Sequence, residues 1–201
     1  MFATIYLPNF YLQAAMRHQP GLYAKPVALI EEQEKKPVIV QLNDVAEKAG
    51  IDKGMTPSQA LARSLQIVIK VRARQQEKSI QKILLHYAFT LSPFVEATAP
   101  GICTVQFTKW HRHPADNQLA RHGESVPPYG GRTGSQSYQN VLRVIEQLTE
   151  CEIRAQAGIA VTPDTSFLAA HLARPVLHIE KVKEFLAPLP IETLGTSSPV
   201  S

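Results

Sequence analysis

Apolar and polar residues alternate from Ala3 to Leu7, and this two-residue period predicts a first strand closed by Pro8. Asn9 is placed to cap a helix from Phe10 to about His18, and Gln19-Pro20-Gly21 reads as a turn. Pro26 to Ile30 and Pro37 to Leu42 predict two more strands, joined by the charged run Glu31 to Lys36. Two short helices follow. Asn43 to Ala49 is closed by Gly50, and Thr56 caps a second helix that opens on Pro57 and runs to about Ser64. Ile67 to Val71 is a short strand. Ile80, Ile83, Leu84 and Tyr87 then fall at helical spacing, predicting a long amphipathic helix over Ala73 to Phe89. Phe94 to Ala97 and Ile102 to Thr108 form a strand pair turned at Ala99-Pro100-Gly101. Tyr138, Val141, Leu142, Ile145 and Leu148 restore the helical period. A strand over Ile153 to Val161, a Thr162-capped helix over Pro163 to Ala173, a strand over Val176 to Ile179 and a short helix over Glu180 to Leu186 complete the pattern.

Strands joined by helices, with two hairpin-like pairs, define an α+β sheet covered by helices. Two strand-helix-strand units give it a split βαβ, ferredoxin-like character. Lys109 to Gly134 breaks the pattern: it is polar, rich in Pro, Gly, Arg and His, and aperiodic. A stretch of that length is expected to be functional or mobile.

The 201 residues suit one medium domain or a domain with a small insert, and a hydrophobic share of 44% is enough for a full core. The net charge of +4 is compatible with a polyanionic partner without demanding one. No apolar run reaches the ~20 residues needed to cross a bilayer, and no signal peptide is evident. Cys103 and Cys151 are the only cysteines, read as buried small hydrophobes of a reduced, cytoplasmic protein.

Motifs for common chemistries are weak. His111, His113 and His122 sit in the polar stretch and do not cluster as ligands, so a solvated loop outweighs a metal site. Gly130-Gly131-Arg132-Thr133-Gly134-Ser135 lacks the spacing of a phosphate loop and reads as a connector. No Gly-x-Ser-x-Gly elbow is present. Lys70, Arg72 and Arg74 form a basic knot at a strand-helix junction. It is a solvated turn on the plainer reading and a set of DNA-phosphate contacts on the sharper one.

Five segments in order resemble Y-family, translesion DNA polymerases of the UmuC/DinB type. Pro20 to Leu29 is similar to the family's "P-x-L-x-x-K-P-V-x-V", and Ala46 to Ala62 to its fingers signature "AR-x-x-G-V-x-x-G-M-x-x-x-x-A". Leu91 to Glu96 matches "S-P-x-V-E". Gly158 to Ala160 with Phe167 to Ala170 matches "G-I-x-x-N-K-x-x-A-K". Phe185 to Ile191 matches the approach to the thumb. The resemblance implies a ferredoxin-like palm over residues 1–20 and 73–180, a small fingers subdomain over 21–72, and the start of a truncated thumb over 181–201.

The departures bear on function. Two-metal phosphoryl transfer needs carboxylates holding ions about 3.5–4 Å apart. Where the family carries "D-x-D", this chain has Tyr6 and Pro8. Where it carries "S-x-D-E-x-x-L-D", the chain has Gly101 and Ile102 for the acidic pair and Gln106 for the later Asp. Tyr11 falls on the sugar-selecting aromatic. Asp44 and Glu47 fall on the fingers residues that touch triphosphate, and Val161 on a phosphate-binding lysine. Two carboxylates there would repel a triphosphate.

This pattern resembles the ImuB-type members and implies a non-catalytic scaffold in damage-induced, SOS-linked translesion synthesis and mutagenesis. It implies no catalytic, nucleotide-binding or metal-binding residues and no cofactor. Implied partners are an error-prone replicative-type polymerase, the sliding clamp and a RecA-like ImuA protein, with weak non-specific DNA binding and no membrane. Two alternatives stand beside it: an active nucleotidyltransferase with acids displaced to Glu31, Glu32, Asp44, Glu47 or Glu96, and an unrelated α/β binding module.

Overall fold

The computed structural model describes residues 1–31, 36–107 and 132–190. In chain order the elements are β1 (Phe2–Tyr6), α1 (Phe10–Met16), β2 (Val27–Ile30), β3 (Ile39–Leu42), α2 (Asp44–Lys48), α3 (Pro57–Arg63), β4 (Val68–Val71) and α4 (Arg74–Leu91). They continue as β5 (Val95–Ala99), β6 (Ile102–Gln106), α5 (Arg132–Glu150), β7 (Gln156–Ala160), α6 (Pro163–Leu172), β8 (Val176–His178) and α7 (Val182–Leu186). Among the described residues these strands build two sheets, in an α+β architecture. A five-stranded sheet has the order β5-β6-β1-β7-β8 and a three-stranded sheet the order β3-β2-β4.

β1 lies at the centre of the larger sheet, antiparallel to both neighbours, with Tyr6 opposite Ile102 on β6 and Gln156 on β7. Its alternation separates two kinds of packing. Ala3 and Ile5 enter a core with Ile80, Leu84 and Ala88 of α4 and with Val141, Val144, Ile145 and Leu148 of α5. Thr4 points to the other face, where α6 lies. It is fully buried, and its hydroxyl is satisfied by Ser166 Oγ at 2.8 Å and Thr104 Oγ1 at 3.2 Å. Ser166 in turn donates to the Pro163 carbonyl. A buried hydroxyl needs such partners, and here they tie β1, β6 and α6 together.

α6 rests directly on the backbone of β7. A Cβ at Gly158 would run into the carbonyl oxygen of Ser166 and the backbone nitrogen of Ala170, so only hydrogen fits. Thr162 caps α6 by accepting from the Thr165 amide, with Pro163 in its first turn.

The smaller sheet is covered on both faces. Ala28, Ile39 and Leu42 pack with Ala46 and Ala60 of the short helices and with Ile51 between them, and α1 lays Leu12, Ala15 and Met16 against Val27 and Leu29. Thr56 and Gln59 form a reciprocal capping box at α3. Asn43 holds α2 to β2: its Oδ1 accepts from the amides of Ala46 and Val27, and its Nδ2 donates to the Lys25 carbonyl.

Three local expectations change. Asn9 does not cap α1 with its side chain; it adopts a left-handed conformation (φ 49°) and donates to the Leu42 carbonyl across to the smaller sheet. α5 begins at Arg132, within the stretch expected to be irregular, because a turn of helix with a polar sequence leaves no apolar period to detect. β7 starts only at Gln156, since the amide of Ile153 closes α5 by donating to the Leu148 carbonyl. Most of the polar stretch at 109–134 lies outside the described residues. Both cysteines are free thiols, and burial pushes Cys103 up to about 12.

Gly158→Ala is expected to cost at least about 3 kcal/mol, because the obstructing atoms are backbone. Thermal unfolding should show a fall of roughly 10 °C in Tm. An unchanged Tm would mean that α6 stands off from β7.

Candidate functional site

The ends of β1, β6 and β7 meet the smaller sheet along a cleft. The closure of this end is made by Gly101, in the left-handed region at φ +75°. The Leu7 amide donates to the Gly101 carbonyl at 2.9 Å, and the Gly101 amide donates to Gln81 Oε1 of α4 at 2.8 Å. A Cβ at position 101 would fall 2.7 Å from Cβ and Cγ of Phe10. Space that a side chain would need is filled by the Phe10 ring.

Beside it, the Tyr6 ring stacks on His171 of α6 at 4.1 Å between centroids, and the Phe167 ring lies 4.5 Å from His171, tilted against it. His171 Nδ1 lies 2.9 Å from the Phe167 carbonyl, and burial raises the Tyr6 phenol above its ordinary pKa. Ile102 sits opposite Tyr6. Gln106 does not join them: it is exposed at the other end of β6, opposite Phe2. The magnesium pair of nucleotidyl transfer requires several anionic oxygens aimed at one point. A phenol, a proline, a glycine without room for a side chain and an isoleucine do not supply them. The residues at these strand ends do not fit that metal pair.

Two hollows flank this junction. The first, about 310 Å³, is lined by Pro8, Asn9, Gln13, Asn43 and Asp44 on one side and by Arg154, Gln156 and Arg174 on the other. The Gln13 side chain bridges its walls, donating to the carbonyls of Pro8 and Arg154 and accepting from the Arg154 amide. Arg174 precedes a cis peptide to Pro175 and donates to the Ala173 carbonyl. Neither arginine is in an ion pair among the described residues, so two cations face one acid, Asp44.

The second hollow is an open groove of about 660 Å³ between α1, α4 and the β5–β6 turn, with Phe10, Tyr11 and Ala97 to Pro100 along it. Arg72 stands at its head. The guanidinium lies 3.9 Å from the Tyr11 ring centroid. It donates through Nε and Nη2 to both oxygens of Glu77, at 3.0 and 2.7 Å, and through Nη1 to Glu31 at 3.3 Å. The hydrogen bonds to Glu77 raise its already high pKa, against the opposing effect of burial. This node joins β2, β4, α1 and α4.

The structure thus separates residues that the sequence grouped. Tyr6, Pro8, Gly101 and Ile102 come together at the strand ends, and Asp44 shares the lining of the first hollow with Pro8. Glu47 lies in a different depression with Ile51, Asp52 and Lys53. Val161 is exposed beyond the opposite end of β7, away from Tyr6, so the expected phosphate-binding position is not there. The cations that do face the hollow are Arg154 and Arg174. They flank a strand and a helix, and their only signal in the sequence was an arginine at each element boundary. Of the expected DNA contacts, Arg72 is consumed by two carboxylates, Lys70 donates to Gln19, and Arg74 is exposed and outside any ion pair among the described residues. The displaced-acid set does not converge: Glu31 pairs with Arg72, Glu96 faces a groove with Phe2 and Pro163, and Glu32 lies outside the described residues. No group of three His, Cys, Asp or Glu side chains is placed to hold a metal among the described residues.

Residues 5–171 match the model of the impB/mucB/samB family. The chain belongs to that family, the Y-family polymerase group that its motifs resemble. A curated DNA polymerase IV from Ralstonia nicotianae is 24% identical over 189 residues, covering 92% of this chain and 48% of that protein. Among solved structures, an insertion ternary complex of Dbh DNA polymerase aligns with a TM-score of 0.73 at 12% identity, and DinB from Sulfolobus solfataricus with 0.72 at 13%. Each alignment covers 96% of this chain, against 53% and 52% of those chains. The chain therefore spans about half the length of the relatives it matches. These relatives correct one expectation. The reading of the chain as no enzyme is overturned by its likeness to a protein named DNA polymerase IV and to structures of DNA polymerases.

Arg72→Ala is expected to destabilise the protein by about 2–3 kcal/mol, because it leaves Glu77 buried without its partner. Arg72→Ala with Glu77→Ala should lose less than Arg72→Ala alone. Urea unfolding of the wild type and these variants measures it; equal stability of wild type and Arg72→Ala would contradict the node.

Proposed function

We propose that this chain is the palm-and-fingers portion of a Y-family polymerase of translesion DNA synthesis, taking a nucleoside triphosphate in the hollow between its two sheets. Residues 1–20 and 73–180 serve as palm, 21–72 as fingers, and 181–201 begin a thumb. The observation that carries the reading is the pair Arg154 and Arg174, which meet Asp44 and the left-handed Asn9 at the ends of β1 and β7. Two guanidiniums without carboxylate partners among the described residues favour a multiply charged anion, and arginine donates to phosphate in two-pronged fashion. The neighbouring Gln13, held at both ends, keeps the wall in place. Asp44 opposes the net field but is outnumbered. DNA is the macromolecular substrate on this reading, and the cytoplasm its place of work; among the described residues no helix is long and apolar enough to cross a membrane.

One observation favours a second, more specific reading. The strand ends present an aromatic stack and a side-chain-free glycine where a metal pair belongs. That supports an accessory, ImuB-type task within a damage-induced mutagenesis complex, alongside an error-prone replicative-type polymerase, a sliding clamp and a RecA-like partner. Co-elution of the whole protein with a sliding clamp tests it, and consistent failure to associate counts against it.

Calorimetry with a deoxynucleoside triphosphate tests the principal reading. Binding should persist when magnesium is removed with a chelator. Arg174→Ala and Arg154→Ala should each weaken it about tenfold, the loss of roughly one charge-assisted hydrogen bond. Binding unaffected by either substitution would place the triphosphate elsewhere, and no binding by the wild type would reject the reading.

A further inference from the structure

We propose that the exposed edge of α4, carrying Arg74, Lys78 and Lys82, is a track for the phosphate backbone of one DNA strand leading into the Tyr11 groove. The inference rests on the DNA-handling reading above and adds a surface to it. The three residues follow one another at a spacing of four, so they line up on one side of the helix over about 12 Å. All three are exposed, and none is in an ion pair among the described residues. His86 prolongs the same line by one more step and is also exposed.

A row of lysines on a helix is usually a solvated face balanced by acids. This one is not balanced. The acid within α4 is Glu77, and it is turned inward and held by Arg72. The exposed positions between the cations are Gln75 and Ser79, which are neutral. The Arg72–Glu77 pair therefore does two things: it joins the sheets, and it takes up the one carboxylate of α4.

The row also has a direction. Lys78 and Lys82 line the open groove together with Gln81 and the paired Arg72 and Glu77, and Phe10, Tyr11 and Ala97 to Pro100 form the remainder of its wall. Cations along one edge and apolar and aromatic side chains along the other suit a strand whose phosphates face α4 and whose bases or sugars face the rings. Twelve ångströms covers about three phosphates of one strand at B-form spacing. Arg72, the cation nearest the rings, is already paired and contributes packing to Tyr11 instead of a phosphate contact.

Fluorescence anisotropy of a labelled oligothymidylate across a salt series tests this. Wild type should bind with a salt dependence that the triple variant Arg74→Ala/Lys78→Ala/Lys82→Ala reduces by about 2 in log–log slope, since each phosphate contact to a single strand contributes roughly 0.7. Ser79→Lys, at an exposed neutral position beside the row, should tighten binding. Triphosphate binding should be unchanged in both variants, which separates this surface from the Arg154–Arg174 hollow. An unchanged slope in the triple variant, no effect of Ser79→Lys, no oligonucleotide binding by the wild type, or equally tight binding of polyglutamate would each overturn the proposal. Loss of triphosphate binding by wild type with the slope change intact would reject the nucleotide reading and leave this one standing.

Discussion

The contact on which the rest of the structure depends is the seating of α6 on the bare backbone of Gly158. With no side chain between them, α6 comes close enough for Ser166 to reach the buried Thr4 hydroxyl of the central strand. That closeness fixes where the far end of α6 falls. His171 is carried over Tyr6, and Arg174, just past the helix, is carried to the mouth of the hollow at the end of β7. A helix lifted by even one methyl group would move both. The chemistry at the strand ends is thus set by packing at the middle of the sheet.

A second constraint joins the two sheets by polar side chains in place of a continuous apolar core. Asn9 donates to the Leu42 carbonyl, Gln41 accepts from the Leu12 amide at 2.9 Å, and Arg72 gathers Glu31, Glu77 and the Tyr11 ring. The cores of the two sheets remain separate clusters. Directional bonds hold the cleft walls in register while leaving the cleft polar, which is what a site for charged ligands needs.

Nearly every element was legible because β1 and α4 carry clear periods and because Thr56, Thr162 and Pro163 punctuate helix starts. The absence of acids at Tyr6, Gly101 and Ile102 was legible for the same reason: their strands were identifiable. The cationic wall was not. Val161 was chosen by motif alignment along β7, whereas the hollow takes its cations from Arg154 before the strand and Arg174 after the helix, and only the crossing of α6 over the sheet brings these together. Arg72 was misjudged because a basic residue at a junction gives no sign of the carboxylates that approach it from residues 31 and 77. The obstruction at Gly101 was equally hidden, since it depends on the Phe10 ring, which is distant in sequence.

The central claim is that the meeting point of the two sheets is an anion site governed by Arg154 and Arg174. The most direct measurement is an amide NMR titration of the protein with a deoxynucleoside triphosphate in the absence of divalent ions. The account predicts progressive shifts at Asn9, Asp44, Gln156 and the Arg174 amide, with Thr98 and Ile102 little affected. Shifts confined to the groove beside Tyr11, or spread evenly over exposed lysines, would contradict it.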